Sequence, residues 1–306
     1  MKSNREPWVS ERLVCRPALP SDTPAVLELC SHIWGGNDYL PNVWLDWLAD
    51  PVHHHLIVAL WGAEITGIVD RMQLGPAEWY LAALRVHPKY QGRGFSSHIF
   101  QYALDACLVE GGVELRLITA QSRKVVHHLC EKFNFRHTTD YYQYQAEPLP
   151  GEAAQFQPLL PFEIETALAQ LRQNPLFPPE LNLIDLGWEY CRPNLEWLSL
   201  AVTETRAFSW QRGRGNLTFF FDEYDGLKFP YIESITCDPA DLTVLLRDAR
   251  RWAGMNGFST IYWNTLPDPH LADCLASAGF KLSEGHDPLY LFERTLTELP
   301  RPGNPG

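Results

Sequence analysis

The sequence predicts an α+β fold made of two similarly ordered domains, each a mixed, mostly antiparallel sheet flanked by helices. Three observations predict it. The chain has 306 residues, long for one core and comfortable for two. Strand-like and helix-like stretches alternate through the first half, and the second half repeats their order without repeating their letters. Hydrophobic residues make up 45% and charged residues 20%, the balance of a folded chain rather than a disordered one.

The first half opens with a short strand, Leu13-Val14-Cys15-Arg16, that ends near Pro17. Ser21-Asp22-Thr23-Pro24 starts a helix, with capping residues ahead of a proline in the first turn. Val26, Leu29 and Ile33 share one face of it, and Gly35-Gly36 stops it. A second helix carries Val43, Trp44, Trp47 and Leu48. Strands follow at about 55 to 61, 64 to 73 and 77 to 87, the first two joined by a turn at Trp61-Gly62-Ala63-Glu64. A helix from Gly94 to about Glu110 presents Phe95, Ile99, Tyr102, Ala103 and Ala106 as an apolar stripe. The half closes with a strand at 113–119, a helix at 122–133 and a strand at 136–146.

Glu147-Pro148-Leu149-Pro150-Gly151-Glu152 reads as a linker. Beyond it, Leu195 to Val202, Leu217 to Asp222 and Tyr231 to Cys237 read as strands. A helix is expected at Asp241 to Ala253, a strand at Ser259 to Asn264, a helix at Pro269 to Ala278 and a last strand at Leu289 to Arg294. Phe133-Asn134-Phe135 and Ala278-Gly279-Phe280 occupy matching places, each after a helix and before a closing strand. The expected boundaries are residues 1–148 and 161–298 for the two domains, 149–160 for the linker and 299–306 for a flexible tail.

A formal charge of −12 argues against a general nucleic-acid binder, which needs clustered Lys and Arg, and mildly favours a cationic substrate such as an amine. Seven scattered cysteines without a CxxC point to a reducing compartment, so a cytoplasmic protein is expected. No apolar run follows Met1-Lys2-Ser3-Asn4-Arg5-Glu6, so no signal peptide is expected. Nowhere do about 18 apolar residues run together, so no membrane partner is expected. Alternate residues of a strand point to opposite faces, so His53-His54-His55 reads as structural rather than as a metal tract. His127 and His128 are adjacent on a helix and do not share a ligand face, and no metal is expected. No feature of the sequence determines the oligomeric state.

The chemistry is concentrated in Leu84-Arg85-Val86-His87-Pro88-Lys89-Tyr90-Gln91-Gly92-Arg93-Gly94-Phe95-Ser96-Ser97. A strand stops at a proline, two glycines follow within a short bend, and a helix starts at once. Such a bend aims free backbone N–H groups at one point, where the helix dipole is also positive. That is a seat for a pyrophosphate, with Arg93 adding a charge-assisted contact. The plain alternative is a tight strand-to-helix turn. The third glycine of a dinucleotide fingerprint is missing, and the strand belongs to an antiparallel series rather than a βαβ unit.

Gln91-x-x-Gly94-x-Ser96, with Val86-x-Pro88 ahead of it, resembles the Q/R-x-x-G-x-G/A signature of the GNAT acetyltransferases. Glu131-Lys132-Phe133-Asn134-Phe135 is similar to that family's E-K-x-G-F ending, and the resemblance spans residues 10 to 147. Ile33-Trp34-Gly35-Gly36-Asn37-Asp38-Tyr39-Leu40-Pro41, Trp188-Glu189-Tyr190-Cys191-Arg192-Pro193 and the tandem layout resemble the histidine N-acetyltransferase-like branch.

The resemblance implies direct transfer from acetyl-CoA as co-substrate. Leu84, Arg85 and Val86 would hold the pantetheine and acetyl groups through their backbone, beside a splayed strand at about 82 to 86. Gln91, Gly92, Arg93, Gly94, Phe95, Ser96 and Ser97 would hold the diphosphate. An amine is protonated near neutral pH and must lose a proton before it attacks. Tyr80 lies where some members place a glutamate base, and Glu78 is two residues earlier on the same strand face; either relays the proton through water, or both are ordinary structural residues. Asp38 and Tyr39 lie in the loop that faces the acceptor, where Asp38 pairs with a substrate ammonium or serves as plain loop chemistry. Cys130 replaces the tyrosine that protonates the departing thiolate. Either the thiol serves, or it is a small core residue and the proton comes from Tyr141, Tyr142 or solvent. Arg123 stands where the family often has an asparagine near the pantetheine.

The second half reads Thr236-Cys237-Asp238-Pro239-Ala240-Asp241 at the matching bend, without glycine and with two acidic residues, so repulsion disfavours a second diphosphate. One acetyl-CoA per chain is expected, with the second domain completing the acceptor pocket or buttressing the first. The acceptor is expected to be a small-molecule primary amine, and the branch resemblance points to the α-amine of a free amino acid such as histidine. A peptide N-terminus, an amine drug, or a non-catalytic acyl-CoA sensor are the competing readings.

Overall fold

The computed structural model describes residues 12–151, 155–224 and 226–296. The expectations for residues 1–6, for the tail 299–306 and for Glu152 of the linker lie outside these residues. Contacts divide the chain into two compact units. The first takes in the chain up to Leu117, His127–Phe135 and the chain from Glu293 onward; the second takes in Ile118–Val126 and Arg136–Phe292. This grouping is not linear, whereas the sequence reading divided the chain at 148.

In the first unit, β1 (Leu13–Pro17) leads through α1 (Thr23–Ser31) and α2 (Leu40–Ala49) to the hairpin of β2 (Ile57–Trp61) and β3 (Glu64–Gln73). Then come β4 (Glu78–Val86), α3 (Phe95–Val109), β5 (Glu114–Ala120) and α4 (Lys124–Lys132), the last two reaching into the stretch grouped with the second unit. β1, β2, β3 and β4 pair antiparallel in order, and β5 lies parallel to β4. Val26, Leu29, Leu40 and Trp44 of α1 and α2 pack with Ile68 and Ala83 on one face of the sheet. Prolines in the first turn of each helix set φ where no intrahelical bond is lost, and the Trp44 indole donates to the Thr23 hydroxyl at 3.0 Å. α3 covers the other face. Gly67 of β3 permits this approach: a Cβ there would lie 2.5 Å from the Ile99 side chain and 2.9 Å from the Arg85 carbonyl oxygen.

The second unit holds β6 (Arg136–Ala146), β7 (Phe156–Pro158), α5 (Ile164–Arg172), β8 (Ile184–Asp185), β9 (Tyr190–Cys191), α6 (Leu195–Thr203) and β10 (Ala207–Trp210). β11 (Gly215–Tyr224), β12 (Leu227–Cys237), α7 (Leu242–Met255), β13 (Ile261–Thr265), α8 (Pro269–Ala278), β14 (Lys281–Leu282) and β15 (Leu289–Thr295) follow, the end of β15 grouping with the first unit. Its sheet runs β6–β13–β12–β11–β10–β7, antiparallel except for β12 on β13. Trp210, Leu217, Phe219, Ile235, Leu246 and Leu291 lie in its core. The expected α+β class, mixed sheets flanked by helices, is what the chain adopts.

Two expectations are corrected here. Leu195–Thr203 is a helix, not a strand: the Asn194 side chain caps it by accepting from the Trp197 amide at 2.9 Å, and Trp197, Leu198 and Ala201 face inward at helical spacing. Part of the expected linker is structured, since Phe156–Pro158 pairs with Phe208–Trp210 as an edge strand. Pro158 is tolerated at such an edge. Among the described residues, no helix is long and apolar enough to cross a membrane.

Candidate active site

β4 is the element around which the site is built. It pairs with β5 only at Glu78, Trp79 and Tyr80. On its other side the register to β3 shifts between Ile68 and Asp70, opposite Ala82 and Arg85. Ala83 lies inside this bulge with φ +53°, a left-handed conformation that is uncommon for a residue with a Cβ. From Leu81 onward the strand therefore turns away from β5, leaving backbone groups of Leu84 to Val86 without a ladder partner on that side. This is the splayed strand that the family resemblance implied.

The strand runs out at His87, whose Nδ1 accepts from the Lys89 amide at 3.1 Å. Tyr90 anchors the bend: it is buried, stacks on Phe95 and donates its hydroxyl to Glu64 at 2.5 Å. The Gln91 side chain donates back to the Val86 carbonyl at 3.1 Å. Gly92 and Gly94 both have positive φ, +74° and +82°, and a Cβ at either would meet nothing within 4 Å. The bend thus faces open space, in a conformation that favours glycine. Gly94 is the residue just before α3, and the first helical bond runs from His98 to its carbonyl. The amides of Phe95, Ser96 and Ser97 remain the unbonded donors of a helix start. Arg93 is exposed and lies with its guanidinium carbon 5.4 Å from the centre of the Tyr90 ring.

Lys132, at the end of α4, donates to the Ser97 hydroxyl at 2.9 Å and brings a second cation to this helix start. In the sequence Lys132 stands out only as part of the closing motif, and the 35 positions between it and Ser97 hide the contact.

Asp38 and Arg85 are brought together. Arg85 Nε donates to Asp38 Oδ2 at 2.9 Å, and Nη2 donates to Oδ1 at 3.0 Å, with the carboxylate fully buried. The guanidinium carbon lies 4.4 Å from the Trp34 ring centre and 5.2 Å from that of Tyr39. Trp34 itself holds φ +48°, and its ring and that of Tyr39 are each more than two-fifths exposed. Asp38 is therefore neutralised inside the protein rather than held out for a substrate ammonium, which corrects that expectation. Trp34, Asn37 and Tyr39 are exposed side chains of the loop.

Tyr80 and Glu78 share a face of β4, as expected. Tyr80 is buried, opposite Met72 on one side and Arg116 on the other. Glu78 accepts from Arg116 at 3.1 Å. Arg116 is almost wholly buried and also donates to Glu114 and to Glu293, the latter at 2.7 Å. Glu78 is thus one of three carboxylates around a single cation. Cys130 is completely buried in α4, and burial pushes its thiol up to about 12. A thiol so enclosed and so reluctant to release its proton is a core residue as the chain stands. Arg123 is exposed, in the stretch Ile118–Val126 that groups with the second unit, and Tyr141 and Tyr142 lie on β6.

The three consecutive histidines go to three carboxylates. His53 bonds Asp50 at 2.9 Å, His54 bonds Asp70 at 2.6 Å, and His55 lies 3.8 Å from Glu110. Glu28, His32 and His87 come within 4.8 Å of one another. His87 already accepts through Nδ1, which in the neutral ring places its proton on Nε2, so a cation there would have to displace the hydrogen bond that shapes the bend.

In the second unit the corresponding strand pair, β11 and β12, also carries a register shift, here around Glu233, and β12 meets β13 only at Tyr231 and Ile232. The bend that follows is closed by its own side chains. Asp238 accepts from the Ala240 amide at 2.9 Å, and Asp241 is held by Arg214 at 2.7 and 2.8 Å. Glu233 is buried; burial pushes its carboxyl up to about 7 even though Arg206 and the Trp197 indole donate to it at 2.5 and 2.6 Å.

Residues 24–135 match the model of the Acetyltransferase (GNAT) family. No curated protein matches the chain. Among solved structures it is similar to a GCN5-related N-acetyltransferase from Sphaerobacter thermophilus, with TM-score 0.62 and 14% identity over 93% of this chain and 96% of that one. A putative acetyltransferase from Pyrococcus horikoshii gives 0.58 and 12%, over 97% and 94%. A tandem GNAT protein from the clavulanic acid biosynthesis pathway gives 0.60 and 12%, over 93% and 98%. At such identities these likenesses speak for the fold, which is a GNAT fold present twice.

Proposed function

We propose that this chain is an acetyl-CoA-dependent N-acetyltransferase that passes the acetyl group directly to a small primary amine. The observation that carries the reading is the course of β4. It leaves β5 after Tyr80, bulges at Ala83 and ends at the start of α3 on a bend of two positive-φ glycines with open space around their Cβ positions. The family match over residues 24–135 covers this whole stretch.

The residues present fit the co-substrate. A diphosphate takes hydrogen bonds from the amides of Gly92 to Ser97 and gains charge neutralisation from Arg93 and Lys132. The stretch Leu84 to Val86, which has no strand partner on the β5 side, offers peptide groups to the amides of a pantetheine chain. At the bulge, a backbone N–H is available to the oxyanion that develops when an amine attacks the thioester. The second unit's bend, capped by Asp238 and crossed by the Arg214–Asp241 pair, offers neither free amides nor a favourable field, so one acetyl-CoA per chain is the stoichiometry of this reading.

For the acceptor, Trp34 and Tyr39 supply an exposed aromatic surface with Arg85 beneath it. A free amino acid fits this surface in kind, with its side chain on the rings; histidine is the candidate that the branch resemblance suggests. Calorimetry with acetyl-CoA, followed by free-thiol release in the presence of pooled amines, tests the reading. One binding event per chain and amine-dependent thiol release support it. Binding without turnover would point to an acyl-CoA sensor, and no binding would end the proposal.

A further inference from the structure

We propose that His54, oriented by Asp70, takes the proton from the acceptor ammonium; this rests on the acetyltransferase reading above. The sequence placed His54 in a structural tract, and neither Tyr80 nor Glu78 has its geometry.

The placement follows from strand register. His54 bridges to Met72, Met72 faces Tyr80, and Asp70 faces Ala82 beside the bulge. Directly opposed residues of antiparallel strands point to the same side, so His54, Met72, Tyr80, Asp70 and Ala82 share one face of the sheet. It is the face covered by α1 and α2, the helices joined by the loop of Trp34 and Tyr39. Neighbouring strands lie about 4.8 Å apart, so the His54 backbone is roughly 10 Å from β4, and its ring leans toward Asp70 and the bulge. The proton therefore passes to the ring through bridging water rather than by direct contact with β4.

The pair is built as a proton acceptor is built. Asp70 is fully buried, and among the described residues its one polar partner is His54 Nδ1, at 2.6 Å; its Oδ1 has none. That bond fixes the ring so that Nε2 is the free position. Trp47 stacks on the imidazole, with ring centres 4.6 Å apart and planes 15° from parallel, and the His54 side chain keeps 11% exposure. A buried carboxylate with a single partner places its negative charge where an imidazolium would form, the logic by which an aspartate serves a histidine base. The other charged groups nearby are spoken for: Asp50 pairs with His53, Arg71 with Glu110 on the opposite face, and Arg116 with Glu78, Glu114 and Glu293.

The step balances. His54 Nε2 accepts one proton from R–NH3+, the freed lone pair forms the C–N bond to the thioester carbonyl, and the C–S bond breaks. The second amine proton ends on the coenzyme A sulfur, and His54 returns its proton to solvent, so the net reaction yields the amide, the thiol and one proton.

The test uses full-length wild type, His54→Gln and Asp70→Asn. Acetyl-CoA affinity is read by calorimetry, and free-thiol release with L-histidine and with tryptamine is read from pH 6 to 10. Both variants are expected to bind acetyl-CoA within threefold of wild type. His54→Gln should lose about 10²- to 10⁴-fold in kcat at pH 7.5, and its rate should climb with pH as the free amine accumulates in solution. Asp70→Asn, nearly the same shape, should lose kcat with little change in KM. A merely structural pair would lower the unfolding temperature and leave the pH profile in place, and that result overturns the proposal. So does a wild type that binds acetyl-CoA yet acetylates neither amine at any pH. A wild type that does not bind acetyl-CoA instead overturns the underlying function.

Discussion

Arg85 grips Asp38 through two hydrogen bonds of 2.9 and 3.0 Å across 47 positions of sequence, tying the loop between α1 and α2 to the splayed end of β4. The loop's aspartate is thereby committed to the fold, while Trp34 and Tyr39 beside it stay more than two-fifths exposed.

Removing the cation should be costly. Arg85→Ala would leave a fully buried carboxylate without its partner, and a loss of about 3–5 kcal/mol is expected, read as a lower urea midpoint. Adding Asp38→Asn to that variant should restore a good part of it, because the uncompensated charge is then gone. Two additive effects would show that the pair is not coupled.

Gly94→Glu addresses the bend. The position needs positive φ and faces open space, so the new side chain finds room but brings strain and negative charge to the proposed diphosphate seat. Acetyl-CoA binding by calorimetry is expected to vanish while the circular dichroism spectrum is kept. Undiminished affinity would move the cofactor site elsewhere.

Cys130→Ala separates a core thiol from a proton donor. With its thiol pushed up to about 12 by burial, the native side chain stays protonated throughout the working pH range. Turnover of the variant is expected within threefold of wild type, and iodoacetamide should leave Cys130 unmodified in the folded protein. A hundredfold fall in kcat with unchanged stability would return the thiol to the mechanism.

Glu233 gives the second unit a pH signature. Its ordinary value of 4.5 rises to about 7 in the fold, because burial disfavours the charged form. Between those values the folded state holds the extra proton, so stability is greatest below about pH 4.5 and falls as pH rises to about 7. The contribution is on the order of 3 kcal/mol. Glu233→Gln should flatten the difference in urea midpoint between pH 5 and pH 7.5; an equal slope in both proteins would contradict the assignment.

Much of the fold was legible because it is written locally. The strands at 64 to 73 and 136–146, the helix at Pro269 to Ala278 and the glycine bend all follow from periodicity, caps and turn chemistry within a few residues. Leu195–Thr203 misled because Leu, Trp and Val in a short apolar run suit strand and helix alike; the Asn194 cap was the signal that distinguishes them. The short strands Ala207–Trp210 and Phe156–Pro158 carry too few residues for a period to show, and they exist by pairing with each other and with β11.

The candidate site divides in the same way. The backbone of the Gly92–Ser97 bend could be read from residue types alone, because positive φ and a free helix start are consequences of local sterics. The partners of Asp38, His54, Glu78 and Cys130 could not. For Glu78 on β4 and for His54, which bridges to Met72 of β3, the partner is set by strand register, and a slip of one residue would turn the side chain to the other face. For Asp38 in its loop and Cys130 in α4 it is set by which elements pack against them. The sequence by itself thus determined the glycine bend and the helix start that follows it, through short-range backbone geometry. Only the tertiary structure decided which carboxylate is ion-paired, which thiol is sealed and which histidine meets a buried aspartate, since those depend on long-range packing and burial.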